Sequence, residues 1–233
     1  MSSDPPNLAA ILRAARGTFL AGIAIASICW LACGVTLGPF IGGIAMTAIV
    51  LPPLAVRDEH PREGFLAAAS IIDGIAIVWL IAALMQLSLL QWLQAYIVLI
   101  SFAAALFGLT IALRRIIGPT GASAITTLLA LAWLAWPIWL SPIAGPRLVA
   151  VLAPFHPLFA INKIFLDLGF WTQQPLMYEL TTLGQDVPHA LPESIWPCVL
   201  LHALMALSLG WPAWLWSARE ASTPPPSAAS PAA

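Results

Sequence analysis

Residues 18–56 read TFLAGIAIASICWLACGVTLGPFIGGIAMTAIVLPPLAV, without a single Asp, Glu, Lys or Arg. Thirty-odd residues at about 1.5 Å each overshoot a hydrocarbon core of about 30 Å, so the stretch predicts two membrane spans rather than one. Gly34, Gly38 and Pro39 break helical continuity, which puts the turn between Gly34 and Pro39, and Pro52 and Pro53 mark the far end of the second span. Working outward, residues 7–16 (NLAAILRAAR) place Leu8, Ile11 and Leu12 on one side and Arg13 and Arg16 toward the other, the pattern of a short helix lying at the membrane surface.

On the other side comes the most charged stretch, RDEHPREG, from Arg57 to Gly64. A third apolar run follows to about Leu90, and a fourth runs from Trp92 to Leu113, where Arg114 and Arg115 end it. A fifth spans about Ala122 to Leu140, and the last lies between Ile195 and Trp216. These runs predict an all-α polytopic fold of about six spans. Residues 1–17 form a cytoplasmic N-terminus with the interfacial helix, 18–216 the six-span domain, and 217–233, which is Pro/Ala/Ser-rich, a disordered cytoplasmic tail.

Composition agrees. The chain is 61 % hydrophobic and 8 % charged, with a mean hydropathy of +0.92; a soluble domain needs roughly 25 % charged residues to coat itself for water. A net charge of −1 gives no pull toward nucleic acid. Cys29 and Cys33, one helical turn apart, and Cys198 lie in apolar runs and read as small buried hydrophobes rather than a disulfide framework.

Positions of the basic residues set the orientation. With the N-terminus in the cytoplasm, Arg13, Arg16, Arg57, Arg62, Arg114, Arg115 and Arg219 fall inside, and only Arg147 and Lys163 fall outside. Both termini are therefore expected in the cytoplasm, in the inner (plasma) membrane of the cell. Trp92, Trp136, Trp139 and Trp196 then sit near outer ends, and Trp211, Trp214 and Trp216 near an inner one, where amphipathic rings are favoured.

Residues 141–193 form the one long outer stretch. Its first half, GPRLVAVLAPFHPLFAINKIFLDLGFW, is too apolar for a free loop, and Pro154 and Pro157 cut it into pieces too short to span. A re-entrant helical hairpin, its backbone buried against protein, satisfies those constraints. The second half, from Thr172, is polar and mildly acidic, suited to an external cap.

No nucleotide-binding loop, zinc spacing, HExxH or GxSxG occurs, so no catalytic residue, metal site or cofactor is expected, and any ATPase activity belongs to another chain. The rare polar groups carry the information. Asp73, in the third apolar run, is either an intramembrane carboxylate or, if residues 61–70 lie on the inner surface, an interfacial group near Arg114 or Arg115. His202 is mid-span and His156 sits between the hairpin prolines. Two such histidines suit haem ligation only if they face each other, and a hydrogen-bonded packing role is the simpler reading. Gly38 and Gly42 make a GxxxG interrupted by Pro39, a weak dimerisation signal. Glu63 and its neighbours form a charged inner turn leading into a short amphipathic helix, suited either to contact a cytoplasmic partner or simply to hold topology.

This layout resembles the membrane-spanning permease subunits of type-2 ABC exporters. Those have a surface helix before the first span, six spans with both ends inside, a charged coupling helix after the second span and an outer re-entrant hairpin before the last. Their segment after the second span often reads like R-E-x-G-T-L-E-x-L-L. Here Arg62, Glu63, Gly64 and Leu66 correspond, with Phe65 in place of the threonine and Ala67 in place of the second glutamate. Leu148–Gly169 is similar to their proline-containing segment after the fifth span. The resemblance implies a cytoplasmic ATPase subunit and a second permease subunit as partners, with Arg57, Arg62, Glu63, Gly64 and Leu66 coupling to the ATPase. It implies an outer hairpin built around Pro154, His156, Pro157 and Asn162. The scarcity of charge inside the membrane points to a hydrophobic or lipid-like cargo. Two readings compete: a non-transporting structural subunit of a respiratory or photosynthetic complex, and a proton-coupled carrier using Asp73, for which no inverted repeat is visible.

Overall fold

The computed structural model describes residues 8–33, 38–57, 61–86, 88–139, 143, 146–166 and 192–212. Among these the chain is helical, with no strand, as an apolar solvent demands of a backbone that must satisfy its own hydrogen bonds. The long helices are α1 (Leu8–Cys33), α2 (Gly38–Arg57), α3 (Pro61–Gln86) and α4 (Leu89–Trp139). Two short helices follow, α5 (Pro146–Leu152) and α6 (Pro157–Leu166), joined by a 3₁₀ turn at Ala153–Phe155. The last, α7 (Trp196–Met205), continues into a π-helical turn at Ala206–Gly210.

Four of these are long and apolar enough to cross a membrane, within Ala15–Ala32, Pro39–Val56, Glu63–Ile81 and Leu89–Pro137. The α5–α6 pair, bent by 78°, passes the same test as a unit, whereas Trp196–Gly210 is shorter. Outward faces are apolar as well: Leu31, Leu128 and Leu204 leave 87, 66 and 62 % of their surface uncovered, which suits lipid and not water. The chain is an all-helical membrane protein.

Three sequence expectations are corrected. Leu8–Cys33 is one helix, so the expected surface helix at residues 7–16 is the leading end of α1 and not a separate piece. Pro52 and Pro53 do not end the second helix, which runs one more turn to Arg57; a proline removes one hydrogen bond, but unwinding in an apolar surrounding would strand several more. Residues 61–70 are likewise no separate amphipathic helix, because Pro61–Gln86 is continuous. The turn expected between Gly34 and Pro39 has residues 34–37 outside the described residues. So do most of the external cap, residues 167–191, and the tail from residue 213.

Packing follows chain order. Gly64 lies against Ala55 and Gly43 against Trp79, so α2 and α3 are antiparallel. The Trp92 Nε1–H donates to the Ala76 carbonyl at 3.0 Å, Tyr96 bonds Asp73, and Phe107 meets Phe65, so α3 and α4 are antiparallel too. α7 lies alongside α4, with His202 against Phe102 and Gly210 against Gly108. Gly42 packs on Cys29 inside the chain, using the GxxxG face for the α1–α2 contact.

The apolar segment of α4, Leu89–Pro137, is 49 residues long, about 74 Å of helix at 1.5 Å each. Its one non-helical residue is Gly118, at φ 76 and ψ 173, a conformation almost reserved to glycine. The first arm starts beside Ala76. The second ends at Trp136 on Phe159 of α6, and α6 in turn touches Phe40 of α2, whose ring lies on Trp79. Since α4 begins and ends at the same end of the bundle, the chain reverses at Gly118. Phe40, Trp79, Leu99, Phe102, Ile161 and Ile164 fill the core between these helices.

Candidate functional site

The charged turn expected to meet a partner is formed by the end of α2 and the start of α3. Arg57 and Arg62 contribute the last and second residues of those helices; their side chains, with residues 58–60, lie outside the described residues. Glu63 is half-buried in the first turn of α3, where a carboxylate is favoured by the helix dipole. Gly64 is buried, and a Cβ there would sit 3.0 Å from the Ala55 carbonyl oxygen, a tight contact that a side chain would relieve only by shifting α2 and α3 a few tenths of an ångström apart. Phe65, standing where the exporter pattern has threonine, is half exposed and sets its ring edge-on against Phe107 at 5.7 Å. Leu66 is 42 % exposed. The turn is thus tied to the first arm of α4 through an aromatic contact worth about 0.5–1.5 kcal/mol beyond its area.

At the opposite end the proline-broken pair α5–α6 packs on the second arm of α4. Pro154 opens the 3₁₀ turn, His156 adopts an extended conformation (φ −88, ψ 125), and Pro157 starts α6. Extended backbone before a proline is expected, because the ring disfavours the helical region at the preceding residue. His156 is fully buried between Trp133, Trp136 and Phe159, with ring centroids 5.7, 5.6 and 4.8 Å away. Its Nε2–H donates to the Trp133 carbonyl at 3.1 Å, which leaves Nδ1 as a buried acceptor without a protein partner among the described residues. Asn162, one turn into α6, is also buried with its Oδ1 unpartnered. The four predicted hairpin residues therefore converge on one buried elbow, cross-braced to α4 by aromatic rings.

His202 lies on α7, which packs against the 3₁₀ turn of the same elbow. Its Nδ1–H donates to the Cys198 carbonyl one turn earlier at 2.8 Å, and Phe102 meets the ring edge-on at 5.4 Å. The two histidines have separate hydrogen-bond partners, each spending a ring N–H on a backbone carbonyl, of Trp133 and of Cys198. Among the described residues no group of three or more His, Cys, Asp or Glu side chains comes together.

Asp73 is not near Arg114 or Arg115. The Tyr96 hydroxyl donates to its Oδ1 at 2.9 Å, and Arg114 lies 18 residues farther along the same arm of α4, about 27 Å away. α3 is one helix, so residues 61–70 make no separate surface helix; Asp73 lies near the middle of the apolar segment Glu63–Ile81 and is exposed. Tyr96 is stacked on Trp92 with centroids 5.5 Å apart and planes 2° from parallel, and the Trp92–Ala76 bond holds the stack in place.

Sequence reading missed Tyr96 and Phe107. Tyr96 had a usable signal, since it is one of only two tyrosines and interrupts an apolar run; Phe107 had none, being one phenylalanine among many apolar neighbours. The chain matches no protein-family model, no curated protein and no solved structure.

Proposed function

We propose that the chain is the membrane-spanning permease subunit of an ATP-driven exporter, moved by a separate cytoplasmic ATPase and paired with a second permease subunit. In this reading it crosses the inner membrane six times: α1, α2, α3, each arm of α4, and α7. Both termini are cytoplasmic, and α5–α6 enter and leave the outer leaflet as a re-entrant hairpin. The observation that carries the reading is the inner α2–α3 turn: charged, closed by Gly64, and braced to α4 by Phe65 on Phe107. A partner pushing on such a turn moves α2, α3 and α4 together, and the far ends of α2 and α4 carry α6 through Phe40–Phe165 and Trp136–Phe159. Nucleotide binding in the partner would bias two arrangements of these packed helices. None of this asks the permease to perform chemistry.

The test is a pull-down of the full chain in mild detergent. An ATPase subunit is expected with the wild-type chain and in reduced yield with Glu63→Ala. Redox subunits in its place would identify the chain as a structural member of another complex, and an undiminished ATPase yield with Glu63→Ala would remove that residue from the coupling surface.

A further inference from the structure

The carboxylate of Asp73 faces outward at mid-depth in an apolar face. On α3 its neighbours along that face are Leu66, Ile77 and Ile81, and on α4 Leu93 and Ile100 flank Tyr96; all five are 41–51 % exposed. Polar groups at this depth are otherwise turned inward, as His202 is. Tyr96 supplies one hydrogen bond, to Oδ1, and Oδ2 has no partner among the described residues. No basic residue pairs with Asp73 among the described residues either. Where this face meets lipid, the carboxylate can hold a charge only against a cation, and the described residues of this chain supply none there. The same face of a second copy cannot supply one, since symmetry would bring a second Asp73 to the first.

The surroundings specify what kind of cation. Trp92 and Tyr96 form a parallel stack beside the carboxylate, locked by the Trp92 N–H on the Ala76 carbonyl and the Tyr96 hydroxyl on Asp73. Aromatic faces next to a carboxylate attract a large, weakly hydrated cation through the ring quadrupole. The exposed leucines and isoleucines around them suit an apolar body, and a membrane-facing position admits a ligand dissolved in lipid. We infer that Asp73, Tyr96 and Trp92 form a binding site for a lipophilic cation, an onium centre on an apolar body, entered from the bilayer. This deepens the transport reading by naming a cargo class. It rests on the membrane placement of α3 and α4 but not on the ATPase partner.

The experiment needs no ATPase, so its failure leaves the coupling proposal standing. The full chain, purified in uncharged maltoside micelles, is dialysed against labelled tetraphenylphosphonium, with tetraphenylborate as the anion of matching shape. A single saturable site for the cation is expected and none for the anion. Asp73→Asn should weaken binding about ten-fold or more, while Asp73→Glu, which keeps the charge, should stay within about three-fold. An unchanged thermal unfolding midpoint for Asp73→Asn shows that the loss is not misfolding; if that variant unfolds early, Trp92→Phe, which keeps a ring but loses the N–H anchor, must weaken binding in its place. Equal binding of cation and anion, undiminished binding by Asp73→Asn, or no saturable binding by the wild-type chain would overturn the site. So would efficient cross-linking of an Ile77→Cys variant to a co-purifying membrane chain in native membranes, which would assign the face to a partner helix.

Discussion

Where α1 crosses α3, two glycines let the backbones touch, and filling that space has a calculable effect. A Cβ on Gly74 would stand 2.3 Å from the Phe19 carbonyl oxygen, 3.0 Å from the Ile23 nitrogen and 3.1 Å from the Gly22 Cα. A Cβ on Gly22 would stand 2.3 Å from the Ile71 carbonyl oxygen. Real Cβ atoms come no closer than 3.0 Å, so Gly74→Ala forces the helices apart by at least 0.7 Å, the difference of those two distances. A gap of that size forfeits a quarter to a half of each dispersion contact along the seam, and overpacking of this kind costs about 1–3 kcal/mol. Alanine regains up to about 1 kcal/mol of helix propensity, so the expected net effect runs from near zero to a loss of about 2 kcal/mol, always below the open-space control by about 1–3 kcal/mol. Gly22→Ala should cost about the same. Because both wedge one gap, the double variant should lose clearly less than the sum. Gly17→Ala is the control: nothing lies within 4 Å of its Cβ, so the same chemical change should leave stability equal or slightly higher. The assay is reversible unfolding of the purified chain from mixed micelles by titration with dodecyl sulfate, followed by circular dichroism. If Gly74→Ala is as stable as Gly17→Ala, the close crossing of α1 and α3 is wrong.

Two further outcomes test other joints in the same assay. Gly118→Ala should cost about 1–3 kcal/mol from backbone strain alone, because its φ of 76 is hostile to a side chain while no atom lies within 4 Å of the added Cβ; Gly121→Ala, in ordinary contact with Ile117, should be near neutral. A double-mutant cycle of Phe65→Leu and Phe107→Leu should return a coupling of about 0.5–1.5 kcal/mol, and a coupling near zero would detach the inner turn from α4.

The candidate site was partly legible. Pro154 and Pro157 could be singled out because two prolines in an apolar stretch interrupt a regular helix, and the chain does bend there, with His156 extended between them; Asn162 lies within α6. That the elbow would be clamped by Trp133 and Trp136 could not be read, since those rings lie in an apolar run with no periodicity to give their direction. Asp73 stands out in an apolar run, but the sequence leaves its depth open: the charges of Arg57–Glu63 allow a separate surface helix, whereas α3 is one helix from Pro61 to Gln86. Gly118 followed by Pro119 was a readable break, but Arg114 and Arg115 drew the end of the fourth run a few residues early.

The apolar runs alone determined that the chain is helical, membrane-embedded and folded back on itself several times. Lipid imposes that requirement residue by residue, through length and hydrophobicity, so it is written locally. Only the tertiary structure decided which faces meet: Tyr96 with Asp73, Phe65 with Phe107, Gly22 with Gly74, His156 within its ring of aromatics. Such pairings depend on how each helix is rotated and how far it slides against its neighbour. A helix that is apolar on every side carries no stripe from which that rotation can be read.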